Sequence, residues 1–257
     1  MFTLDCDRAY LYGHRERELS NEEQSRYENA LTQRSEGVPA QYITGHQEFW
    51  GMDLIVSPAV LIPRPETEHV IERTLDLIRS DNWRARTPAA PFRVVDVGTG
   101  SGCIALALAK ELPQADIHAT DISPAALEIA RANAARHQLQ NRIQFHETDL
   151  LRGMEKNTFD FVVSNPPYVG ESEEDQVQLE VRKFEPRNAV FAGPTGLEVI
   201  ERLILQAREV LKPGGWLVME ISGTIAGRVQ ELFSGWNDVQ ITNDLQGIAR
   251  VASARKA

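Results

Sequence analysis

The chain has 257 residues, a formal net charge of -10 and a sequence pI near 5.2, enough for one substantial α/β domain plus a small appendage without disulfide or metal staples. The acidic balance argues against a general affinity for phosphate backbones and leaves room for a basic protein partner. Two cysteines, Cys6 and Cys103, are too few for a disulfide framework, and with neither a leader nor a long apolar span the reading is a cytoplasmic protein with no membrane association.

Residues 1–57 read as a short N-terminal helical region followed by a β-hairpin. Cys6 to Leu19 can supply one short helix. Ser20-Asn21-Glu22-Glu23 has the spacing of a capping box and opens a helix to about Glu36, with Gly37 as its stop. Gln47 to Trp50, a turn at Gly51-Met52, and Asp53 to Ser57 make the hairpin. Residues 58–91 connect it onward: a helix entered through Pro63-Arg64-Pro65-Glu66 carries Val70, Ile71, Leu75 and Ile78 on one face, and Asp81 to Pro91 reads as a linker. From 92 to 257 strands alternate with helices, the mark of a mostly parallel sheet covered on both faces.

The first chemical motif opens that region. Apolar Arg93-Val94-Val95 leads into Asp96-Val97-Gly98-Thr99-Gly100-Ser101-Gly102, and a helical pattern follows from Cys103 to Leu112. Glycines let a backbone approach a ligand closely, and the helix N-terminus behind them offers free N–H groups. The dinucleotide fingerprint is G-x-G-x-x-G, whereas glycines here stand at 98, 100 and 102, so the third arrives one residue early. The next strand, Ile117 to Thr120, ends in Asp121, a carboxylate suited to a ribose diol whether the ligand is NAD or S-adenosylmethionine. A solvated turn aspartate is the plainer alternative.

A helix from Pro124 to Leu139, a strand from Ile143 to Thr148 and then Asp149-Leu150 lead to the second motif. The strand Phe159 to Ser164 closes in Asn165-Pro166-Pro167-Tyr168. An amide or exocyclic NH2 on a planar system is a poor nucleophile, so an enzyme that alkylates it must grip and aim it. An Asn carbonyl and a backbone carbonyl provide two acceptors for its two N–H groups, and each proline fixes φ and removes a competing donor. A Pro-Pro turn that merely ends a strand is the structural alternative. The acidic Glu171, Glu173, Glu174 and Asp175 come next, a solvated loop or a lid over a basic partner. An amphipathic helix carrying Leu197, Ile200, Leu203, Ile204, Ala207 and Leu211 stops at Lys212-Pro213-Gly214-Gly215; a strand Trp216 to Ile221, a helix near Ile225 to Phe233 and strands near Val239 to Thr242 and Ala249 to Ala252 finish the pattern. Gly98, Asp121, Asp149 and Asn165 all fall at strand carboxyl ends, where ligands bind in such sheets. His46, His118 and His146 lack ligand spacing and read as surface or packing residues, so no metal site is expected.

With these residues in view the chain resembles the peptide chain release factor glutamine N5-methyltransferases (PrmC/HemK type) over nearly its whole length. The resemblance rests on Gly37 to Gly45, Phe49-Trp50, Val60 to Glu68, Asp96 to Gly102, Asn165 to Tyr168, Phe184-Glu185-Pro186-Arg187 and Ala192 to Leu197. It implies a Rossmann-like class I S-adenosylmethionine-dependent methyltransferase domain at 92–257, a short N-terminal substrate-docking region, and methylation of the glutamine amide in the Gly-Gly-Gln motif of class I release factors. A monomer without direct nucleic-acid contact is expected. Carried onto this sequence, the cofactor residues are Gly98, Thr99, Gly100, Ser101, Gly102, Asp121, Asp149, Leu150 and Asn165, and the catalytic, substrate-gripping turn is Asn165, Pro166, Pro167 and Tyr168. Leu150 stands where the family often has an aromatic ring, the helical region before Gly37 is shorter than the family's, and Ser222 to Ala226 departs from its glycine-then-glutamine pattern. Two rival readings share the motifs: a nucleic-acid amino-methyltransferase acting on adenine or cytosine, and a non-enzymatic module that keeps a nucleoside pocket.

Overall fold

A computed structural model describes residues 2–80 and 92–257; the expected linker from Asp81 to Pro91 lies outside them. The chain begins with two helices whose starts are capped as the residue types demand. Arg8–Gly13 is capped by Asp7, which accepts from the Tyr10 amide at 2.7 Å, and Asn21–Ser35 by the reciprocal Ser20–Glu23 box. Gly37, at φ 90, ends this run, and a short helix Ala40–Thr44 follows that the pattern did not announce.

Strands β1 (His46–Phe49) and β2 (Met52–Ile55) form the antiparallel hairpin, turning at Trp50-Gly51 rather than at Gly51-Met52. Both turn residues take positive φ, 52 and 65, as a two-residue hairpin turn requires. Trp50 tolerates that backbone because its amide donates to Glu68 at 2.9 Å and its indole to Glu111 at 3.1 Å, while Met52 is buried and belongs to the strand. The hairpin is stitched to the main body: Asn133 holds both the amide and the carbonyl of Ile55, at 2.7 and 3.0 Å. Through the turn Pro65–Thr67 the chain enters the helix Glu68–Arg79, which buries the predicted face of Val70, Ile71, Leu75 and Ile78.

The remaining strands are β3 (Arg93–Val97), β4 (Asp116–Asp121), β5 (Ile143–Glu147), β6 (Phe159–Ser164), β7 (Val169–Gly170), β8 (Phe191–Gly193), β9 (Leu211–Glu220), β10 (Trp236–Asn243) and β11 (Ala249–Lys256). Seven make one sheet in the order β10-β11-β9-β6-β3-β4-β5, antiparallel only where β11 meets its two neighbours. β7 and β8 pair separately, inside a segment of short elements that the sequence pattern did not reveal. The two-residue period of the strands sends Val94, Phe161, Val163, Val218 and Val251 to one face, against the helices Glu68–Arg79 and Cys103–Glu111. Val95, Val97, Val162, Leu217 and Ala252 go to the other, against Glu198–Val210 and Ala226–Leu232. Burying each large aliphatic chain in this way contributes roughly 1.5–3 kcal/mol, which is why packing rather than propensity holds these helices. Among the described residues no helix is long and apolar enough to cross a membrane.

Leu211, expected to close the helix Glu198–Val210, is instead the first residue of β9, and the expected stop Lys212 to Gly215 lies within that strand's opening half. The ladder explains it: Phe159 pairs with Leu211, the register shifts, and Phe161 pairs with Trp216, so the intervening residues form an irregularity with Gly214 at φ 80. Buried Asp160 ties this corner together, accepting from the Arg93 amide at 2.8 Å and from Lys212 Nζ at 2.7 Å. Lys212 is half-exposed and can rehydrate, so Asp160→Ala mainly strands the Arg93 amide. The expected loss is about 1–3 kcal/mol, read by urea denaturation with an unchanged slope.

Candidate active site

Val97 of β3 lies opposite both Thr120 of β4 and Ser164 of β6, so Gly98, Asp121 and Asn165 leave three adjacent strands at the same level. Strand order reverses between β3 and β6, which opens a crevice at their carboxyl ends. A cavity of about 480 Å³ occupies it, within the range of small-molecule sites. Of the residues singled out from sequence, Gly98, Gly100, Asp121, Asp149, Leu150, Asn165 and Pro167 line it. Gly98 and Gly100 have φ of 69 and 54, and a side chain at either would project into open space, so the missing Cβ atoms leave the backbone free to meet a ligand.

Thr99, Ser101 and Gly102 stand behind the lining and build the turn. Thr99 Oγ1 donates to Asp96 at 2.6 Å, and the Ser101 carbonyl accepts from Asn133 at 2.9 Å. A methyl on Gly102, at φ 85, would sit 3.2 Å from both the Ala130 and the Leu106 side chains, so this glycine serves helix packing. Asp96, which also accepts from the Ala105 amide at 3.1 Å, is buried, and burial pushes its pKa up to about 7.

Asp121 accepts from the Gly100 amide through Oδ2 and from the Ser123 amide through Oδ1, each at 2.9 Å. A carboxylate oxygen has two acceptor sites, so the group keeps acceptor capacity suited to a vicinal diol. Burial raises its pKa above the ordinary aspartate value. Exposed Ile122 follows it on the cavity wall. The Asp149 carboxylate is paired with Arg202 of the facing helix, and Leu150 takes a left-handed backbone, φ 55. Pro58 to Leu61, Pro63 and Arg64 add a further wall to the cavity. Tyr42 donates to the Val60 carbonyl at 2.6 Å, and buried Glu185 accepts from the Ile62 amide at 3.1 Å and pairs with Arg64.

A second cavity, about 160 Å³, adjoins the first and shares Leu61, Arg64, Asn165, Pro167 and Ala189 with it. Pro166, Tyr168, Val181 and Glu220 contribute to its walls. Asn165 Nδ2 donates to Thr67 Oγ1 at 3.0 Å, Thr67 Oγ1 donates to Glu220 at 2.6 Å, and the Tyr168 hydroxyl donates to the other Glu220 oxygen at 3.1 Å. The sequence reading gave no role to Thr67 or Glu220. The available signal was a carboxylate in the apolar strand Trp216 to Ile221, because an acid is rarely left in a buried strand without a partner. Gly196 also escaped notice as a supporting residue: at φ 80, a methyl there would stand 2.6 Å from the Tyr168 carbonyl oxygen, so only glycine lets this turn back the Asn165 to Tyr168 segment. The acidic stretch forms the turn Glu171–Gln176, where Glu174 pairs with Arg187 and Asp175 with Arg182.

The site thus offers a nucleoside-sized chamber and a small, mostly apolar slot that meet at one asparagine. Residues 85–183 match the family model for the methyltransferase small domain, and residues 1–45 match that for the PrmC N-terminal domain. The chain is 54% identical over 258 residues to the release factor glutamine methyltransferase of Koribacter versatilis (strain Ellin345), spanning 100% of this chain and 88% of that protein. It is 38% identical over 256 residues to the release factor glutamine methyltransferase of Rhodopirellula baltica, spanning 98% and 85%. Among solved structures the fold is similar to the catalytic domain of hMettl16 in complex with a MAT2A 3'UTR hairpin, with a TM-score of 0.63, 21% identity, and coverage of 81% of this chain and 76% of that one. That likeness concerns the fold, whereas identity sustained over whole chains reaches further: the chain belongs to the release factor glutamine methyltransferase family.

Proposed function

We propose that this chain methylates the N5 side-chain nitrogen of the glutamine in the Gly-Gly-Gln motif of class I release factors, taking the methyl group from S-adenosylmethionine. The observation that carries the reading is the meeting of two cavities at Asn165, one of nucleoside size and one of amide size. In this reading residues 1–57 dock the release factor, 58–91 connect, and 92–257 perform catalysis. The protein works as a cytoplasmic monomer and makes no direct contact with nucleic acid.

The residues present fit the cofactor. Gly98 and Gly100 leave backbone open to it, the free acceptor sites of Asp121 suit its ribose hydroxyls, and Leu150 and Asp149 flank its base. Thr99, Ser101 and Gly102 hold the turn in shape from behind. When bound, S-adenosylmethionine supplies an electrophilic methyl group on a sulfonium. The chain's own task is to aim a weak nucleophile. Asn165 Oδ1 and the Pro166 carbonyl accept the two amide N–H groups, Pro167 confines the amide plane, and Tyr168 forms the wall beside it. Holding reactants in attack geometry can supply roughly 7–11 kcal/mol of barrier reduction, against a net of about 1 kcal/mol for one neutral hydrogen bond, so positioning dominates. No strong base is needed before attack, because the nitrogen becomes acidic once methylated and then releases its proton to water.

Three outcomes test this. Asp121→Ala is expected to abolish measurable binding of S-adenosylhomocysteine in calorimetry, and NAD to compete with neither; because burial raises the Asp121 pKa, wild-type affinity should also fall on acidification before an ordinary aspartate would titrate. Asn165→Ala is expected to lower kcat at least ~100-fold while leaving cofactor affinity within about threefold, since each 1.36 kcal/mol of barrier is tenfold in rate. Full activity in that variant would make the turn merely structural. Finally, mass spectrometry with labelled cofactor should find the methyl group on the glutamine of an intact release factor and none on duplex DNA or RNA; transfer to nucleic acid alone would favour an amino-methyltransferase of bases.

A further inference from the structure

The buried carboxylate of Glu220 backs the small cavity, and it ends the hydrogen-bond chain that begins at Asn165. Three elements meet there: the turn after β6, the turn preceding the helix Glu68–Arg79, and the last residue of β9. Thr67 and Glu220 are 1% and 2% exposed, so water does not rearrange their contacts.

With Glu220 ionised, the form that the two hydroxyls aimed at it and the nearby Arg250 favour, counting protons fixes every bond in this chain. An ionised glutamate has none to give, so both of its partners must donate: Thr67 Oγ1 to Oε2 at 2.6 Å and the Tyr168 hydroxyl to Oε1 at 3.1 Å. Thr67 has a single hydroxyl proton and spends it on Glu220. Toward Asn165, 3.0 Å away, it can therefore only accept, and the atom facing it must be the amide nitrogen Nδ2. The other end of the Asn165 amide, Oδ1, is then the end left for a ligand. An asparagine turned the opposite way would offer N–H groups to a substrate that itself brings N–H groups, and the slot would repel what it is meant to hold.

We propose that Glu220, acting through Thr67, is a positioning residue that locks the Asn165 amide with its oxygen toward the substrate. The proposal rests on Asn165 gripping the glutamine NH2. It gives a reason for a buried acid at the end of a central strand, which would otherwise be a cost with no return. The groups around Glu220 are Tyr168, Arg250 on β11, Glu66 beside the helix start, Cys103, and Arg64 in the wall of the same small cavity. Arg250 draws the carboxyl toward its charged form, although burial raises its pKa overall. Arg250 is itself held by Asp244 at 2.9 Å, so the carboxylate relies on its two hydroxyl donors for direct contact.

Thr67→Val keeps the shape of the side chain and removes the hydroxyl, freeing the Asn165 amide to turn. Thr67→Ser restores the hydroxyl without the methyl group. Glu220→Gln can still present an oxygen to Thr67 and its NH2 to the Tyr168 oxygen. The experiment measures kcat and KM with intact release factor, S-adenosylhomocysteine affinity by calorimetry, and the thermal midpoint, on these three variants and on Asn165→Ala. The expected pattern is a kcat loss of at least tenfold in Thr67→Val with cofactor affinity near wild type and a lowered thermal midpoint, because the buried carboxylate loses one of its two donors, recovery of kcat to within about threefold and of the midpoint in Thr67→Ser, and an intermediate kcat loss in Glu220→Gln. Wild-type kcat in Thr67→Val beside an impaired Asn165→Ala would overturn the positioning role and leave the grip of Asn165 standing. Equal loss in Thr67→Val and Thr67→Ser would overturn it in favour of a packing role. Full activity in Asn165→Ala would remove the grip and the positioning role together.

Discussion

The register of three parallel strands is the constraint on which the site depends. Val97 opposite Thr120 and Ser164 delivers a glycine turn, a carboxylate and an asparagine to one edge of the sheet in a single layer. A slip of one residue in β6 would send the side chains of its fully buried run, Phe159 to Ser164, to the wrong faces. It would also move Asn165 off the level of Gly98. Register is protected because both faces are buried, by the helix Cys103–Glu111 on one side and Glu198–Val210 on the other. The apolar core and the chemistry are in this sense one specification: the same alternation that buries Val95 and Val97 against one layer and Val94 against the other sets where the strand ends fall.

Around that edge the fold places acids where solvation alone would forbid them. Asp96 and Glu220 are buried and Asp121 is held behind the turn, and burial raises the pKa of all three. Their tolerance has a common physical form, in that N–H and O–H donors converge on each carboxylate. Asp96 receives Thr99 and the Ala105 amide, Asp121 receives the amides of Gly100 and Ser123, and Glu220 receives Thr67 and Tyr168. The bonds of Asp121 to Gly100 and of Glu220 to Thr67 and Tyr168 join segments from different elements, so these two acids also act as fasteners, while Asp96 shapes its own glycine turn. Geometry at the strand ends is set by polar contacts, and the strands themselves are set by apolar ones.

What the sequence made legible follows from this division. The central strands, the amphipathic helices and the glycine and Asn-Pro-Pro-Tyr turns carry local signals, namely period, capping and turn chemistry, and the structure puts Gly98, Asp121, Asp149 and Asn165 around one cavity. Thr67 and Glu220 were not legible as a pair because they are separated by 153 positions and become neighbours only when the start of the helix Glu68–Arg79 packs against the end of β9. Thr67 looks like an ordinary residue at a helix start. The turn at Trp50 was misplaced by one residue because a tryptophan at positive φ has no local justification; its support comes from Glu68 and Glu111, both distant in sequence. The segment from Val169 to Gly193 hid its short helices and its two-strand ladder because elements of so few residues complete too few turns or pairs to show a period.

That segment also joins the N-terminal helices to the slot. Its helix Leu179–Phe184 sends Val181 into the wall of the small cavity, while Glu180 pairs with Arg34 at 2.6 Å and Lys183 donates to the Glu36 carbonyl at 3.3 Å. Gly37 reaches the Phe184 ring so closely that an added methyl would be in contact at 3.6 Å. One residue further on, Glu185 holds Ile62 and Arg64, of which Arg64 lines both cavities. The helix Asn21–Ser35 is thus joined to the slot at Asn165 by a series of ion pairs, hydrogen bonds and short covalent steps. The ion pairs at the surface are individually weak, about 0–1 kcal/mol each, so they do not clamp the N-terminal helices in place. The buried Glu185 contact lies at the cavity end of this series and the exposed Arg34 contact at its outer end.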